Sequence, residues 1–398
     1  MKGGNIGHRA SACVVVWASL LLPLGQAMGS DCETWAGRLV SVQGTVEART
    51  AGSEQWEPVA SGATFCPGDT LRVGANGRAG VILPSETLVR LDQLSAISFS
   101  EPERKGVSLL ELLRGLGHFI SRVPQSLEVE TPFVNAAVEG TEFLVEATAE
   151  QGRVLVFEGR VVAVSPDGRE LLGNGEGALA KPGEAPRKFL IAKPRNAVKW
   201  ALYYPPVADY RSADLPGELR AAAMRFAEGD IEGALAQLEG VPEGLRDARF
   251  HSLRASIRLF VGRVDAAGGD IERALELDPA SGNALALKSI VTLVLGDREE
   301  AMRLAQEAVR LEPSAAAPVI ALSYTDQARF DLEGARQNAK TATDLEPENA
   351  LAWARLAELR LAFVEYDKAQ RAARRATELN PNLARTQTIL GFARLLRF

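Results

Sequence analysis

Ala274-Leu275-Glu276-Leu277-Asp278-Pro279 is followed at intervals of 34 residues by Ala308-Val309-Arg310-Leu311-Glu312-Pro313, Ala342-Thr343-Asp344-Leu345-Glu346-Pro347 and Ala376-Thr377-Glu378-Leu379-Asn380-Pro381. A second alanine column runs seven residues earlier, at Ala267, Ala301, Ala335 and Ala369. Self-similarity at this period marks a repeat array, in which each unit buries its apolar face only against a stacked neighbour. The alanines suit the crossing of two antiparallel helices, where a larger side chain would force the backbones apart. Each proline closes one repeat and opens the next, since it has no N–H to give inside a helix but fits a helix's first turn. Gly262 and Gly296 take equivalent places in the turn between the helices. Upstream, Glu218 to Leu238 keeps the turn-to-alanine spacing with Gly229 and Ala234 but lacks the closing proline, as an atypical first unit or cap would. Residues 216–398 thus divide into that unit, repeats ending near 279, 313, 347 and 381, and a terminal half-repeat. The half-repeat ends in Phe392, Leu395, Leu396 and Phe398, too apolar for a helix facing water, so the natural array is expected to continue beyond Phe398.

This pattern resembles the tetratricopeptide repeat. The resemblance implies an all-α solenoid of antiparallel helix pairs whose first helices line a concave groove for extended or helical peptides. By register, Asn283, Ile290, Tyr324, Glu358 and Leu361 are candidate partner-binding residues, with Ala286 and Ala354 beside them. They do not form the paired basic clamp that captures a C-terminal carboxylate in some relatives, which disfavours a chaperone-tail ligand. From Asn349 onward nine Lys or Arg stand against four Asp or Glu, so the basic end either favours acidic partners or is a solvated face.

Before the array, apolar residues recur at every second position, as in Val40, Val42, Gly44, Val46 and Ala48. Period two marks half-buried strands, and the turn formers Pro67-Gly68-Asp69, Asn76-Gly77, Glu158-Gly159 and Pro166-Asp167-Gly168 separate them. Residues 35–190 are read as an all-β domain: a sandwich, a roll or a solenoid. The stretches Cys66-Pro67-Gly68-Asp69-Thr70-Leu71-Arg72-Val73, Val129-Glu130-Thr131-Pro132-Phe133, Val138-Glu139-Gly140-Thr141-Glu142-Phe143 and Val154-Leu155-Val156-Phe157-Glu158-Gly159 resemble a FecR domain. In that family the domain is the periplasmic part of an iron-uptake regulator that controls a sigma factor through one membrane helix. No cytoplasmic segment is expected before the apolar N-terminus, and an exported FecR-like module joined to another binding unit is therefore the expected form. Between the domains, residues 191–215 form an aromatic and proline-rich linker. Its Trp200, Tyr203 and Tyr204 either plug the interdomain junction or form an exposed docking patch for a partner or glycan.

The first 29 residues have the three-part build of a signal peptide: Lys2, His8 and Arg9, an apolar run from Ala12 to Leu24, then Gly25, Ala27 and Gly29. The run is shorter than the ~20 residues that cross a bilayer, so a periplasmic or otherwise exported protein is expected, not integral to the membrane once the signal is removed. An uncleaved anchor is the alternative. Export leaves Cys32 and Cys66, expected to pair as a disulfide in an oxidising compartment, against two unpaired buried thiols.

The 398 residues, 46% hydrophobic and 24% charged, exclude a mostly disordered chain, and the net charge of -6 argues against nucleic acid as a partner. With His118 and His251 in different domains, no Walker loop and no cysteine cluster, no catalytic residue, metal site or cofactor is expected. The expected function is a non-enzymatic envelope scaffold that binds protein or peptide partners through the repeat groove, with the FecR-like domain as a second binding or sensing module. A FecR-type extracytoplasmic sensor in a transport signalling system and a carbohydrate-active envelope enzyme are the alternatives.

Overall fold

A computed structural model of the chain describes residues 32, 34–101, 107–121, 123–191, 194–210, 215–382 and 384–396. The segment 1–29 read as an export signal lies outside the described residues.

Among the described residues between Gly37 and Leu190, fifteen strands form one continuous sheet. Its spine is three long strands, Ser108–Ile120, Asn135–Ala147 and Gly152–Ser165. The last two form a hairpin. Ser108–Ile120 has four neighbours: Leu88–Leu91, Ala96–Ser100 and Asn135–Ala147 run antiparallel to it, and Pro124–Glu130 runs parallel. The inward faces from Leu39 to Ala180 share one apolar core, where Phe119 stacks on Phe143 at 4.9 Å and Phe65 on Phe99 at 4.8 Å. A continuous sheet around one core is a roll, one of the three architectures the alternation left open.

The Pro-Gly-Asp turn owes its shape to a buried carboxylate. Asp69 accepts the backbone N–H of Ala51 at 2.9 Å and of Cys66 at 2.8 Å. Beside it Cys66 is disulfide-bonded to Cys32, tying the segment before the first strand to this turn.

The helical half alternates first and second helices: Gly217–Glu228 and Ile231–Glu239, Ala248–Phe260 and Val264–Leu277, Gly282–Leu295 and Arg298–Leu311, Ala316–Ala328 and Leu332–Leu345, Ala350–Ala362 and Tyr366–Leu379, then Ala384–Leu395. Both alanine columns are fully buried. They let the paired helices approach closely enough for Ser289 and Ser323, one repeat apart, to donate to the carbonyls of Ala301 and Ala335 at 2.7 and 2.8 Å. The residue before the proline also has a task. Glu312 and Glu346 accept the N–H of Gly282 and Ala316, placing a carboxylate at the positive end of each first helix. Asp230, Asp297 and Asp331 cap the second helices. Among the described residues no helix is long and apolar enough to cross a membrane.

Candidate functional site

The linker touches both domains. Ile191, Ala197 and Val198 pack on Leu116, Leu144, Leu155 and Phe157, which alternation along their strands turns away from the core of the roll. The chain then makes a single turn of tight helix, Lys199–Ala201, and Lys199 pairs with Asp265 of the array. At this corner Arg78, from the strand Arg78–Ile82, donates to the carbonyls of Trp200 at 2.6 Å and Phe260 at 2.5 Å, and Gln43 donates to Phe260 at 2.9 Å. Phe260 ends a first helix, where carbonyls lack partners and the dipole is negative, so a guanidinium is a fitting cap. Burial lowers the Arg78 pKa, and nearby Asp92 works against that shift. Gly262 makes the approach possible. Its backbone is left-handed, and a Cβ there would lie 2.7 Å from the Trp200 carbonyl oxygen and 2.9 Å from the Arg78 guanidinium carbon.

From Leu202 to Tyr210 the linker crosses the concave side of the repeats. Tyr204 and Val207 join Leu259, Ile290 and Leu351 in the helical core. Tyr210 packs with Leu219 and Phe250, and its hydroxyl meets Ser256 at 3.0 Å. Asp209 accepts the N–H of Ala350 at 3.2 Å, at the start of a first helix. Among the described residues, 203–210 make no backbone-to-backbone hydrogen bond. The described contacts of the segment are made through its side chains.

The register-predicted residues gather around this segment. Ile290 is buried beneath it, Asn283 lines a cavity of about 440 Å³ beside Asp209 and Tyr210, and Leu361 lines one of about 790 Å³ beside Leu202 and Tyr204. Glu358 is central to a charged cluster. It accepts from Arg355 at 3.0 Å and from Arg385, whose other terminal nitrogen reaches the Tyr203 hydroxyl. Burial acts to raise the Glu358 carboxyl, but Arg385 and Arg355 more than offset it and hold it below its ordinary value. Tyr324 lies under the Arg355 guanidinium at 3.8 Å, and burial pushes its hydroxyl up to about 12. Of Trp200, Tyr203 and Tyr204 only Tyr203 is exposed; Trp200 and Tyr204 are 7% and 6% accessible, so they dock the chain onto itself and form no free patch.

Sequence alone places Arg355 and Arg385 only in the basic end and gives Arg78 no role. Arg355 is 1% exposed and also bonds Ser323 through the hydroxyl and the carbonyl, both at 3.0 Å. The available signal was an arginine within the apolar helix Ala350–Ala362, three residues before Glu358. Two other buried polar clusters exist. Asp270 binds Arg254, Arg258 and His251, and His118 meets Glu142 at 2.9 Å, its pKa lowered by burial against the pull of that carboxylate. Among the described residues no group of His, Cys, Asp and Glu could hold a metal ion.

The sequence profile of the FecR protein family matches residues 69–162, from the Asp69 turn to the hairpin that carries Phe143. Residues 69–162 are thus similar to the FecR family, and the paired helices that follow, with their 34-residue period, resemble tetratricopeptide repeats. Among solved structures, a protein described as a candidate anti-sigma factor from Parabacteroides distasonis is similar over 36% of this chain and 70% of its own, at 20% identity and a TM-score of 0.31. A thermophilic tetratricopeptide protein of Thermus thermophilus is similar over 45% of this chain and 97% of its own, at 21% identity and a TM-score of 0.39. The first tetratricopeptide domain of Spaghetti, solved with an HSP90 peptide, is similar over 29% and 94%, at 17% identity and a TM-score of 0.28. No curated protein matches the chain at a significant level. The FecR domain and the repeat fold together suggest a protein-interaction or signalling role.

Proposed function

We propose that the protein is an exported, non-enzymatic scaffold of the bacterial envelope that holds protein partners through its tetratricopeptide groove, with the FecR domain as a second binding or sensing module. One observation carries this reading: the groove, lined by Ile290, Tyr324, Glu358 and Leu361, accommodates a segment without regular secondary structure whose described contacts are made through side chains. A surface that seats its own linker in that way has the shape and chemistry to seat a peptide. Crosslinking in intact cells followed by mass spectrometry tests it. Partners crosslinked to residues 216–396 are expected, and recovery of none above a control chain ending before Pro216 would overturn the proposal. Export is tested separately by the mature N-terminus, expected after Ala27 or Gly29 in a periplasmic fraction.

A second reading has its own support. Arg78 joins the sheet to the linker and to a repeat helix, so a ligand that moved that strand would be felt in the groove. A sensory FecR domain would use this contact. Its expected signature is faster amide exchange around Trp200 and Phe260 in Arg78→Ala, with the melting midpoint of each domain kept.

A further inference from the structure

We propose that linker residues 201–210 are a replaceable intramolecular ligand of the repeat groove, and that the groove's other ligand is an extended, proline-containing peptide carrying aromatic side chains and a carboxylate. This rests on the reading of the array as a protein-binding module and adds that the site is closed in cis.

The linker is seated but imperfectly satisfied. A cavity of about 790 Å³ remains beside it, lined by Leu202, Tyr204, Phe226, Leu259, Leu361 and Phe392. A groove shaped only to pack this linker would leave less apolar wall uncovered. Among the described residues, four buried polar atoms at its contacts or next to them have no hydrogen-bond partner within the chain: the Tyr204 hydroxyl, Trp200 Nε1, Arg78 Nε and Arg385 Nε. Three of these are donors only and the fourth can donate, so the contact is short of acceptors. A replacing peptide that supplied acceptors and more apolar bulk would be better satisfied than the linker is.

The same contacts set the chemistry of that peptide. Pro205 and Pro206 carry no N–H, so they cross the apolar groove without leaving donors unpaired, and their preference for extended backbone lowers the entropy of seating. A competitor meets the same wall and gains from the same residue. Among the described residues, Arg78 and Arg385 line the cavity against Glu358 and the linker's own Asp209, so positive charge is left in excess there once the linker is displaced. Asp209 sets its own carboxylate at the start of the helix Ala350–Ala362. Both features favour a peptide with an acidic group.

Tethering explains why such a site would be silent in the resting chain. A segment held close to its site acts at an effective concentration of roughly millimolar, so a free peptide of equal affinity does not compete at micromolar levels.

The probe is a fluorescein-labelled peptide with the sequence of residues 201–210, Ala-Leu-Tyr-Tyr-Pro-Pro-Val-Ala-Asp-Tyr, titrated into the full chain by anisotropy. Val207→Asp and Tyr204→Ser, which loosen the linker, are expected to bind it at least tenfold more tightly than the unaltered chain, while a scrambled peptide binds neither. Adding Arg385→Ala to Val207→Asp is expected to weaken that binding severalfold. Helical circular dichroism confirms that each variant is folded. A second arm needs no variant: millimolar peptide is expected to speed amide exchange of residues 203–210 in the unaltered chain. Equal affinity for unaltered and loosened chains, equal binding of the scrambled peptide, or unchanged exchange at millimolar peptide would each overturn the proposal. If these fail while cells still yield partners crosslinked to the array, the cis closure is wrong and the scaffold reading stands. If peptide competition succeeds and no partner is recovered, the reverse holds.

Discussion

The FecR domain and the repeat array bury apolar surface in opposite ways. In the roll, large side chains meet across long sequence distances: Phe119 stacks on Phe143, Phe65 on Phe99, and one strand, Ser108–Ile120, is paired with four others. In the array the buried columns are alanines, and each helix packs mainly on its neighbours in the chain. The first arrangement makes one cooperative body, because removing any spine strand unpairs several others. The second approximates a sum of local interfaces, in which damage stays near its source. The linker is the exception on the helical side, since Tyr203 and Arg385 connect distant parts of the chain.

The sharpest test of this difference is Phe143→Ala. The ring is fully buried against Phe119, and its loss is expected to destabilise the roll by about 3–5 kcal/mol. The loss should appear as an earlier melt of the whole β signal, followed by near-ultraviolet circular dichroism, with the helical transition little changed. Reduction of Cys32–Cys66 comes next. Releasing a crosslink with a sequence separation of 34 is expected to cost about 3–4 kcal/mol in the chain-entropy account. It should lower the β-domain midpoint in denaturant and leave the array's midpoint in place.

Ala308→Leu is the counterpart in the array. Ala308 is fully buried among Leu285 and Leu304, and a larger side chain is expected to cost about 1–3 kcal/mol by pushing the paired helices apart. Local architecture predicts faster amide exchange in the helices Gly282–Leu295 and Arg298–Leu311, with Tyr366–Leu379 unaffected. Equal loss of protection across all repeats would show that the array is as cooperative as the roll.

These contrasts also explain what could be read in advance. The 34-residue columns were legible because one helix-crossing geometry recurs and each copy needs the same small residue. The roll was legible as strands and turns, but Ser108–Ile120 pairs with segments before and after it in both directions, and period-two alternation carries no information about partners. Groove positions followed from register, whereas Arg355 did not: a guanidinium 1% exposed is affordable only because Ser323, Glu358 and the Tyr324 ring receive it. The path of the linker was equally hidden, since nothing in Tyr204 or Val207 states which surface they will meet.

A smaller effect separates the domains by pH. Burial raises the Asp92 carboxyl to about 6, with a backbone hydrogen bond and Arg78 opposing the shift. The folded state therefore holds this proton more tightly than the unfolded one. The associated stability is fully present below pH ~4 and is lost as pH rises through about 6. Asp92→Asn removes the ionisation, so at pH 7 it is expected to stabilise the roll by on the order of 1–2 kcal/mol, allowing for solvent screening, and to change little at pH 4. Denaturant midpoints at the two pH values, compared between the variant and the unaltered chain, measure the difference. An equal gain at both would show that packing, not charge, is responsible.

The smallest expected effect lies at one repeated turn. Gly262, Gly296, Phe330 and Val364 are 34 residues apart, and all four have left-handed backbone, with φ of 77°, 106°, 68° and 61°. Glycine adopts this region freely, whereas bulky and β-branched side chains are strained there by about 1–2 kcal/mol. Phe330 and Val364 are 83% and 65% exposed, so little packing compensates. Phe330→Gly and Val364→Gly should therefore stabilise their repeats, but glycine's greater freedom in the unfolded chain takes back part of the gain, leaving about 0.5 kcal/mol each. Gly262→Ala should do the opposite and loosen the domain junction, because the added carbon meets the Trp200 carbonyl and Arg78. One turn position thus serves two purposes: at Gly262 its geometry admits the other domain, while at Phe330 and Val364 the same geometry is kept at the cost of strain. A loss of stability in both glycine variants would mean that these exposed side chains are held by contacts worth more than the strain they carry.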